Sequence, residues 1–178
     1  MGISMKFKNI TAIKNEIVKL IDENQDIRRY MTYLTDSPLS KKAKLNNGKL
    51  VDQPDITESL IEKTIIPYMY FEEVVEKAIP IMFVYMSKGD MSNSTVGDNY
   101  LVIEILVPTK ANILQGLGEE RCANIADTIT DILDDKKLSK GLTSIEFVSW
   151  EQYRVSKDAE YVGLALAGKI KTSNMRRR

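Results

Sequence analysis

Three aspartates recur at intervals of four residues, at Asp127, Asp131 and Asp135, and Asp134 lies beside them. This spacing places carboxylates along one stripe of a helix, and carboxylate oxygens are ligands that Mg²⁺ prefers. A two-metal site needs a second acidic cluster facing the first, and no clear partner cluster stands out in the sequence. We therefore interpret the stripe as a solvent-exposed acidic face, and we predict no metal and no cofactor.

Other residue types that carry chemistry are scarce. The chain has one cysteine and no histidine, which excludes Ser-His-Asp and Cys-His catalysis. Cys122 is in helical register with apolar residues, so we predict a core residue rather than a nucleophile. Gly116 and Gly118 precede a helix as in a phosphate loop, but a third glycine is missing and two glutamates follow, which would repel phosphate. No catalytic residues emerge, and we predict that the protein is not an enzyme.

Composition narrows the function classes further. The chain has 178 residues, with 25 Lys and Arg against 25 Asp and Glu, which suits one compact domain with a substantial core. Neutrality argues against a broad electrostatic surface for nucleic acid or acidic membranes. The longest apolar run, 79–86, is too short to span a bilayer, and no leader pattern precedes it. We expect a soluble protein inside the cell.

Two segments are basic. Segment 37–53 contains four lysines and the turn Asn46-Asn47-Gly48, and the tail 173–178 ends in three arginines. The first segment could be an arm that contacts a partner or a phosphate, or a solvated loop. We favour the solvated loop, and we predict that the tail is disordered.

Apolar periodicity predicts three helices. The first runs from Thr11 to Leu34 and ends before Pro38. A short second helix is capped by Asp52 or Asp55 and buries Ile56, Leu60 and Ile61. The third extends from about Gly118 to about Leu138, with an apolar face made of Cys122, Ile125, Ala126, Ile129, Ile132 and Leu133.

Residues rich in β-branched and aromatic side chains predict the strands. The run Tyr100–Val107 is almost entirely apolar, which is typical of a central strand covered on both faces. The other predicted strands are Ile65–Phe71, Ile79–Tyr85, Thr143–Tyr153 and Tyr161–Lys171. Pro67 makes the first of these an edge or irregular strand. Hairpin connections favour an α+β fold: a single domain over residues 1–178, mainly antiparallel, with the helices packed on one face.

The order of these elements resembles that of bacteriophage tail-terminator, or tail-completion, proteins, which join the tail tube to the neck. The resemblance covers the first helix and the run from Ile79 to Lys171. The segment Ser156–Gly163 resembles the last hairpin of that family. The insertion at 37–53 departs from the smaller members.

The resemblance implies a homohexameric ring in the virion, assembled in the host cytoplasm, that stops tail-tube polymerisation. Its partners would be the tail tube protein and a head-completion or neck protein, with viral DNA passing through the lumen without being read and no membrane involved. The polar hairpin 88–99 and the small residues of the last strand are then candidate contacts between subunits. The candidate interface residues are Lys88, Asp90, Met91, Asn93, Gly163, Ala165 and Ala167, and the candidate lumen residues are Asp127, Asp131 and Asp135.

Three alternatives remain open at the level of sequence. A neck or head-completion connector, one layer closer to the head, would have the same architecture. A small metal-dependent enzyme would use the aspartate stripe within an acidic pocket. A nucleic-acid adaptor would bind through Lys41, Lys42, Lys44 and Arg176–Arg178, with salt-sensitive affinity. We favour the ring protein.

Overall fold

The computed structural model describes residues 7–45, 47–69, 78–89, 99–114, 118–134, 136–138, 143–155 and 160–172. They form a single α+β domain with a mainly antiparallel sheet, which confirms the predicted fold class. The helices are α1 (Phe7–Glu23), α2 (Gln25–Thr32), α3 (Thr109–Asn112) and α4 (Arg121–Leu133). The strands are β1 (Lys42–Lys44), β2 (Leu50–Asp52), β3 (Ile65–Ile66), β4 (Ile81–Gly89), β5 (Asn99–Pro108), β6 (Thr143–Arg154) and β7 (Tyr161–Thr172).

The main sheet has five strands in the order β3-β4-β5-β7-β6, so β5 is central as predicted. Its pairs are antiparallel except for β3, which pairs parallel with β4. Pro67 directly follows β3 and cannot donate a ladder hydrogen bond, which limits this edge strand to two residues. The prediction of an edge strand is confirmed, although the strand is shorter than the predicted Ile65–Phe71.

Helices α1, α2 and α4 cover one face of this sheet. Alternate residues of β5 point into the main core, where they pack with apolar side chains from all three helices. A smaller cluster on the other face comprises Ile66, Ile81, Phe83, Leu106 and Tyr161. We call the two sides the helix-covered face and the helix-free face, the second because no described helix packs on it. Burial of apolar area on both sides of β5 explains its almost unbroken apolar sequence.

The predicted single helix from Thr11 to Leu34 is wrong, because two helices meet at Asn24. The Asn24 backbone is extended, and its side-chain Oδ1 accepts a hydrogen bond of 3.0 Å from the amide nitrogen of Ile27. This N-cap satisfies a donor at the start of α2 and favours a new helix there. Both helices bury apolar residues in the same core, so periodicity alone does not reveal the break.

The predicted short helix after Asp52 is also wrong. Residues 53–60 are not helical. Asp55, one of the two expected caps, instead accepts a hydrogen bond of 3.1 Å from Nη1 of Arg29. Leu60 still enters the core as predicted. The Asp55 carboxylate therefore forms an ion pair with Arg29 instead of capping a helix, as its local sequence would suggest.

Segment 37–53, predicted to be a loop, contains the antiparallel hairpin β1–β2. Of its six strand residues, only Ala43 is buried. The remaining predictions hold more closely. Helix α4 buries the expected apolar face, including Cys122, and β6 pairs antiparallel with β7, with a register shift between Phe147 and Ser149.

Candidate functional site

The first candidate for chemistry is a buried cation, Arg121, at the start of α4, with none of its surface exposed. Its guanidinium donates to four backbone carbonyl oxygens: Ala111 O at 2.7 Å, Tyr30 O at 2.8 Å, Tyr33 O at 2.6 Å and Thr35 O at 2.5 Å. Two of these carbonyls lie in or just after the last turn of α2, where helix carbonyls lack partners. Arg121 therefore closes α2 onto α4.

Burial lowers the pKa of Arg121 to about 10, so the side chain is still a cation at neutral pH. A positive charge near the C-terminal end of α2 is favoured by the helix dipole. All four hydrogen bonds of the guanidinium go to main-chain oxygens of this chain. These N–H groups therefore stabilise the fold and are not directed at a ligand. Sequence reasoning missed this residue, because nothing in its neighbourhood distinguishes it from an exposed arginine.

A second buried arginine fixes the base of the β1–β2 hairpin. Arg29 donates to Pro38 O at 3.1 Å, to Ser40 O at 2.6 Å and to Asp55 Oδ1 at 3.1 Å. The buried amide of Gln53 donates to Ser40 O at 2.8 Å. These contacts anchor both ends of the hairpin on α2 while its strands stay exposed.

Asp22 at the end of α1 is also buried, and it is fully engaged. Its Oδ2 accepts hydrogen bonds from Arg28 Nη2 at 3.0 Å and from Ser59 Oγ at 2.8 Å, and its Oδ1 accepts one from the Leu60 amide nitrogen at 2.8 Å. Buried charge costs little when it is paired and hydrogen bonded in this way. The polar groups of the helix-covered side thus serve the fold.

The helix-free face has a different polar feature, a carboxylate between two phenols. The Tyr153 hydroxyl donates to Glu104 Oε1 at 3.0 Å, and Tyr85 also forms a side-chain hydrogen bond with Glu104. All three side chains are half-buried. Tyr85 and Tyr153 also pack against the apolar cluster of this face.

Burial, with a further contribution from the charge of Glu104, raises the pKa of Tyr85 to about 12 and also raises the pKa of Tyr153. Both phenols therefore keep their protons at neutral pH and act as hydrogen-bond donors rather than bases. The two phenols hold Glu104 in place between β4 and β6, and neither phenol exchanges a proton near neutrality.

The predicted interface residues of β7 lie on this helix-free face. Gly163 is buried, and a Cβ atom added to it would lie 2.6 Å from the ring atoms Cε2 and Cζ of Tyr153. The close approach at this glycine is thus made within one chain. Ala165 and Ala167 are half-buried on the same face. Their role in a subunit contact stays a prediction.

The other predicted interface residues belong to the β4–β5 connection. Lys88 lies in β4 and pairs with Tyr100 of β5. Asp90, Met91 and Asn93 lie outside the described residues, as does the basic tail 173–178. Their predicted roles are not tested.

The aspartate stripe is exposed as expected. Asp127 and Asp131 lie on the outer surface of α4, and Asp134 follows the helix, whereas Asp135 lies outside the described residues. Burial of these side chains within one subunit would have removed the lumen hypothesis, and Asp127 and Asp131 are not buried. Within the part of the chain that the structure describes, no group of three or more acidic, cysteine or histidine side chains is arranged to hold a metal ion.

Strand β6 is an edge of the main sheet, and sequence reasoning did not identify it as one. Single bridges join Thr143 and Ile145 to the segment after α4, but no described strand pairs with the outer edge of β6 beyond them. Residues 148–152 are all exposed, and Trp150 exposes 69% of its surface. Unpaired strand edges of this kind are templates for pairing with another chain.

No described helix is long and apolar enough to cross a bilayer. No curated protein matches the chain. The family model of YomW, a family of phage origin, matches residues 24–170. Because this match spans well over half of the chain, the protein belongs to the YomW family.

Proposed function

We propose that this YomW-family protein is a structural tail-terminator protein of a phage. Copies of the chain form a ring, with six subunits, at the head-proximal end of the tail tube. The ring stops growth of the tube and joins it to a neck or head-completion protein. Viral DNA passes through it without sequence-specific contact, and the protein acts in the virion rather than as an enzyme.

The phage origin of the family and the order of the elements support this proposal. A helix, an antiparallel strand pair, a second long helix and a final strand pair are present as α1, β4–β5, α4 and β6–β7. This is the order on which the resemblance to tail-terminator proteins rests. The tail and neck location is the part of the proposal that needs an experiment.

The observation that carries the proposal is the open edge of β6. A monomer that exposes an unpaired edge strand risks association through it, and proteins usually cover or charge such edges. Strand β6 carries charges at Glu146, Glu151 and Arg154, but it leaves Val148 and Trp150 uncovered. A subunit of a closed ring has the opposite requirement, because each copy must offer a surface to its neighbour. The exposed Val148 and Trp150 on this edge fit a surface that another chain covers.

The experiment is deletion of the gene from the phage or prophage that carries it, followed by electron microscopy of the induced lysate. We expect tail tubes of irregular, excessive length and DNA-filled heads without tails, because nothing caps the growing tube. Expression of the wild-type protein from a plasmid should restore tails of uniform length. An antibody against the protein should label the head-proximal end of wild-type tails.

Two outcomes would contradict the terminator role. Tails of normal length that fail to join heads would instead indicate the neck connector. Normal, infectious particles from the deletion would show that the protein is not required for tail completion. Both results are read from particle morphology, independently of how the purified protein associates.

A further inference from the structure

Two exposed surfaces each contain a strand with one edge that no described strand pairs with, and the two surfaces carry opposite charge. The first is the hairpin surface, residues 41–52, which contains β1 and β2. The second is the border surface, where α4 runs beside the open edge of β6. Its members are Asp127, Asp134, Val148, Trp150 and Glu151.

The hairpin surface is poorly covered by its own chain. Among the described residues the β1–β2 sheet consists of two strands, and such isolated hairpins are marginally stable in water. Leu50 exposes 65% of its surface, and Leu45 and Val51 are exposed beside it. Arg29 and Gln53 hydrogen bond to the base of the hairpin, while its two strands are exposed to solvent. The strands are therefore accessible to another chain.

Helix α4 and β6 form one continuous border. At the start of the helix, Glu120 Oε2 accepts a hydrogen bond of 2.7 Å from Gln152 Nε2. At the end of the helix, Asp134 bridges to Ile145. The helix therefore runs along the exposed stretch of β6 in the opposite direction.

Exposed acidic side chains of α4 lie close to this border. Arg121 and Asn124 contact α2, whereas Asp127 is exposed on the outer surface of α4. Asp134, just after the helix, bridges to Ile145 of β6.

On the strand, Trp150 pairs with Leu166, a residue of the main core, so its side chain leaves the sheet on the same face as α4. The acids of α4 and the exposed indole thus lie on one side of the border, whereas Glu151, which pairs with Ala165, leaves the sheet on the helix-free side.

The charges of the two surfaces are complementary. The hairpin surface carries Lys41, Lys42, Lys44 and Lys49 against a single acid, Asp52. The border surface and its margins carry more acids than bases, although Lys136, Lys137 and Arg154 lie at its ends. The acids are Asp127, Asp131, Asp134, Glu146 and Glu151. A neutral chain with separated basic and acidic surfaces favours contact between copies of itself.

We propose that the hairpin surface of one copy docks on the border surface of the next copy, where β2 adds to the open edge of β6. Main-chain pairing supplies affinity, as in other strand additions. Leu50 and Val51 cover Val148 and Trp150, and the lysines approach Asp127 and Glu151. This inference deepens the proposed function, on which it rests, by naming the contact that builds the ring.

The contact joins two different surfaces, so it is head-to-tail and can close into a ring. An arrangement of two identical surfaces about a two-fold axis would stop at a dimer. The proposal also places Asp127 between subunits rather than in the lumen. Asp131, which lies further round the outside of α4, is not needed for the contact.

A mixing experiment with the full-length protein tests the contact. One variant carries Lys44→Glu and Leu50→Glu in the hairpin surface, and the other carries Val148→Glu and Trp150→Glu in the border surface. Sedimentation velocity should show that each variant self-associates at least ~30-fold more weakly than wild type, the effect of about 2 kcal/mol expected for a central interface residue. The 1:1 mixture keeps one native hairpin and one native border, so it should form a heterodimer and stop there.

Two controls make the result specific. The matched variant Lys63→Glu with Met69→Glu makes the same kinds of change at exposed residues outside both surfaces, and it should associate like wild type. The charge exchange Lys44→Asp with Asp127→Lys, in one chain, should recover association that Lys44→Asp alone loses. All substituted residues are exposed, and circular dichroism checks that each variant folds.

Several outcomes overturn the inference. They are wild-type protein that stays monomeric at ~100 μM, variants that associate like wild type, or variants that are monomeric alone and also in the mixture. None of these outcomes bears on the terminator role, which is tested by the tail length of the deletion phage. Conversely, normal tails in the deletion, together with a heterodimer in the mixture, would refute the function and leave the contact standing.

Discussion

The two faces of the central sheet are covered by different kinds of side chain. The helix-covered face is closed by aliphatic side chains from α1, α2 and α4, and its buried cation Arg121 is satisfied by main-chain carbonyls. The helix-free face is closed by a smaller cluster, by aromatic rings and by a half-buried carboxylate between two phenols. The helix-covered face is closed by three helices, while the helix-free face has a thinner cover, and the open edge of β6 borders both.

The difference indicates where function lies. A face whose buried charged groups Asp22, Arg29 and Arg121 are engaged internally has little charge to offer a partner, so substitutions there should act on stability. Residues at the open edge contribute little to the fold of one chain, so substitutions there should act on assembly. The predictions below test this division, beginning with the largest expected effect on stability.

Replacing Arg121 by methionine should destabilise the protein most. The change keeps the volume but leaves four carbonyl oxygens without their donor, and each unsatisfied buried group costs about 1–3 kcal/mol. Because water can enter to replace some of these bonds, we expect a loss of about 3–5 kcal/mol in the free energy of unfolding, measured by urea titration. Arg154→Met, at an exposed site on β6, is the control and should change it by less than about 0.5 kcal/mol. Equal effects of the two changes would contradict the division.

The next largest effect is expected for Gly163→Ala. The added methyl group would meet the Tyr153 ring at 2.6 Å, and this ring is held by Glu104. Overpacking of this kind costs about 1–3 kcal/mol. Ala165→Ser, on the same face of the same strand, should be close to neutral in the same urea titration.

A double-mutant cycle sharpens that prediction. In a Tyr153→Ala background the clash is gone, so Gly163→Ala should cost almost nothing further. A penalty that persists there would mean that the glycine is required for another reason, such as a contact with a neighbouring subunit.

The phenol–carboxylate cluster should have a smaller effect, which depends on pH. Tyr153→Phe removes one hydrogen bond to Glu104 and should cost about 1–2 kcal/mol at pH 7. Burial raises the pKa of Tyr85 to about 12 and raises the pKa of Tyr153, whereas an unfolded tyrosine ionises near pH 10. The native state therefore retains protons that the unfolded chain releases, and this stabilisation is fully present below pH 10 and lost as pH rises through 12.

The measurement is the free energy of unfolding between pH 9 and pH 12 in wild type and in Tyr85→Phe/Tyr153→Phe. The double variant should show a shallower fall above pH 10, and each single variant an intermediate one. A double variant with the wild-type slope would show that these phenols do not link stability to pH.

The smallest effect on stability is expected for Trp150→Ser, within about 0.5 kcal/mol, because the indole is exposed in one chain. Circular dichroism must follow unfolding, since Trp150 is the only tryptophan. The same fact makes its fluorescence a probe in wild type, where emission should shift to shorter wavelength as the protein associates. Destabilisation by more than 1 kcal/mol would place Trp150 with the core rather than the edge.

Sequence reasoning reached the fold class, the central β5 and the apolar face of α4 because burial repeats with the period of each element. It missed the break at Asn24, where both helices bury apolar residues in one core, and it placed a helix at 53–60 where Asp55 is drawn into a contact with Arg29. It also missed Arg121, because three of the four carbonyls that accept from this guanidinium belong to residues 86 to 91 positions away in the chain.

The amino-acid sequence by itself determined which segments are apolar and with what period, and it ruled out histidine chemistry and internal disulfides. Only the tertiary structure decided that β6 is an edge, that Tyr153 fills the space above Gly163, and that α4 runs beside exposed Trp150. The physical reason is that periodicity reports the local exposure of each element. Strand order and buried hydrogen bonds depend instead on contacts between residues far apart in the chain, which no local pattern encodes.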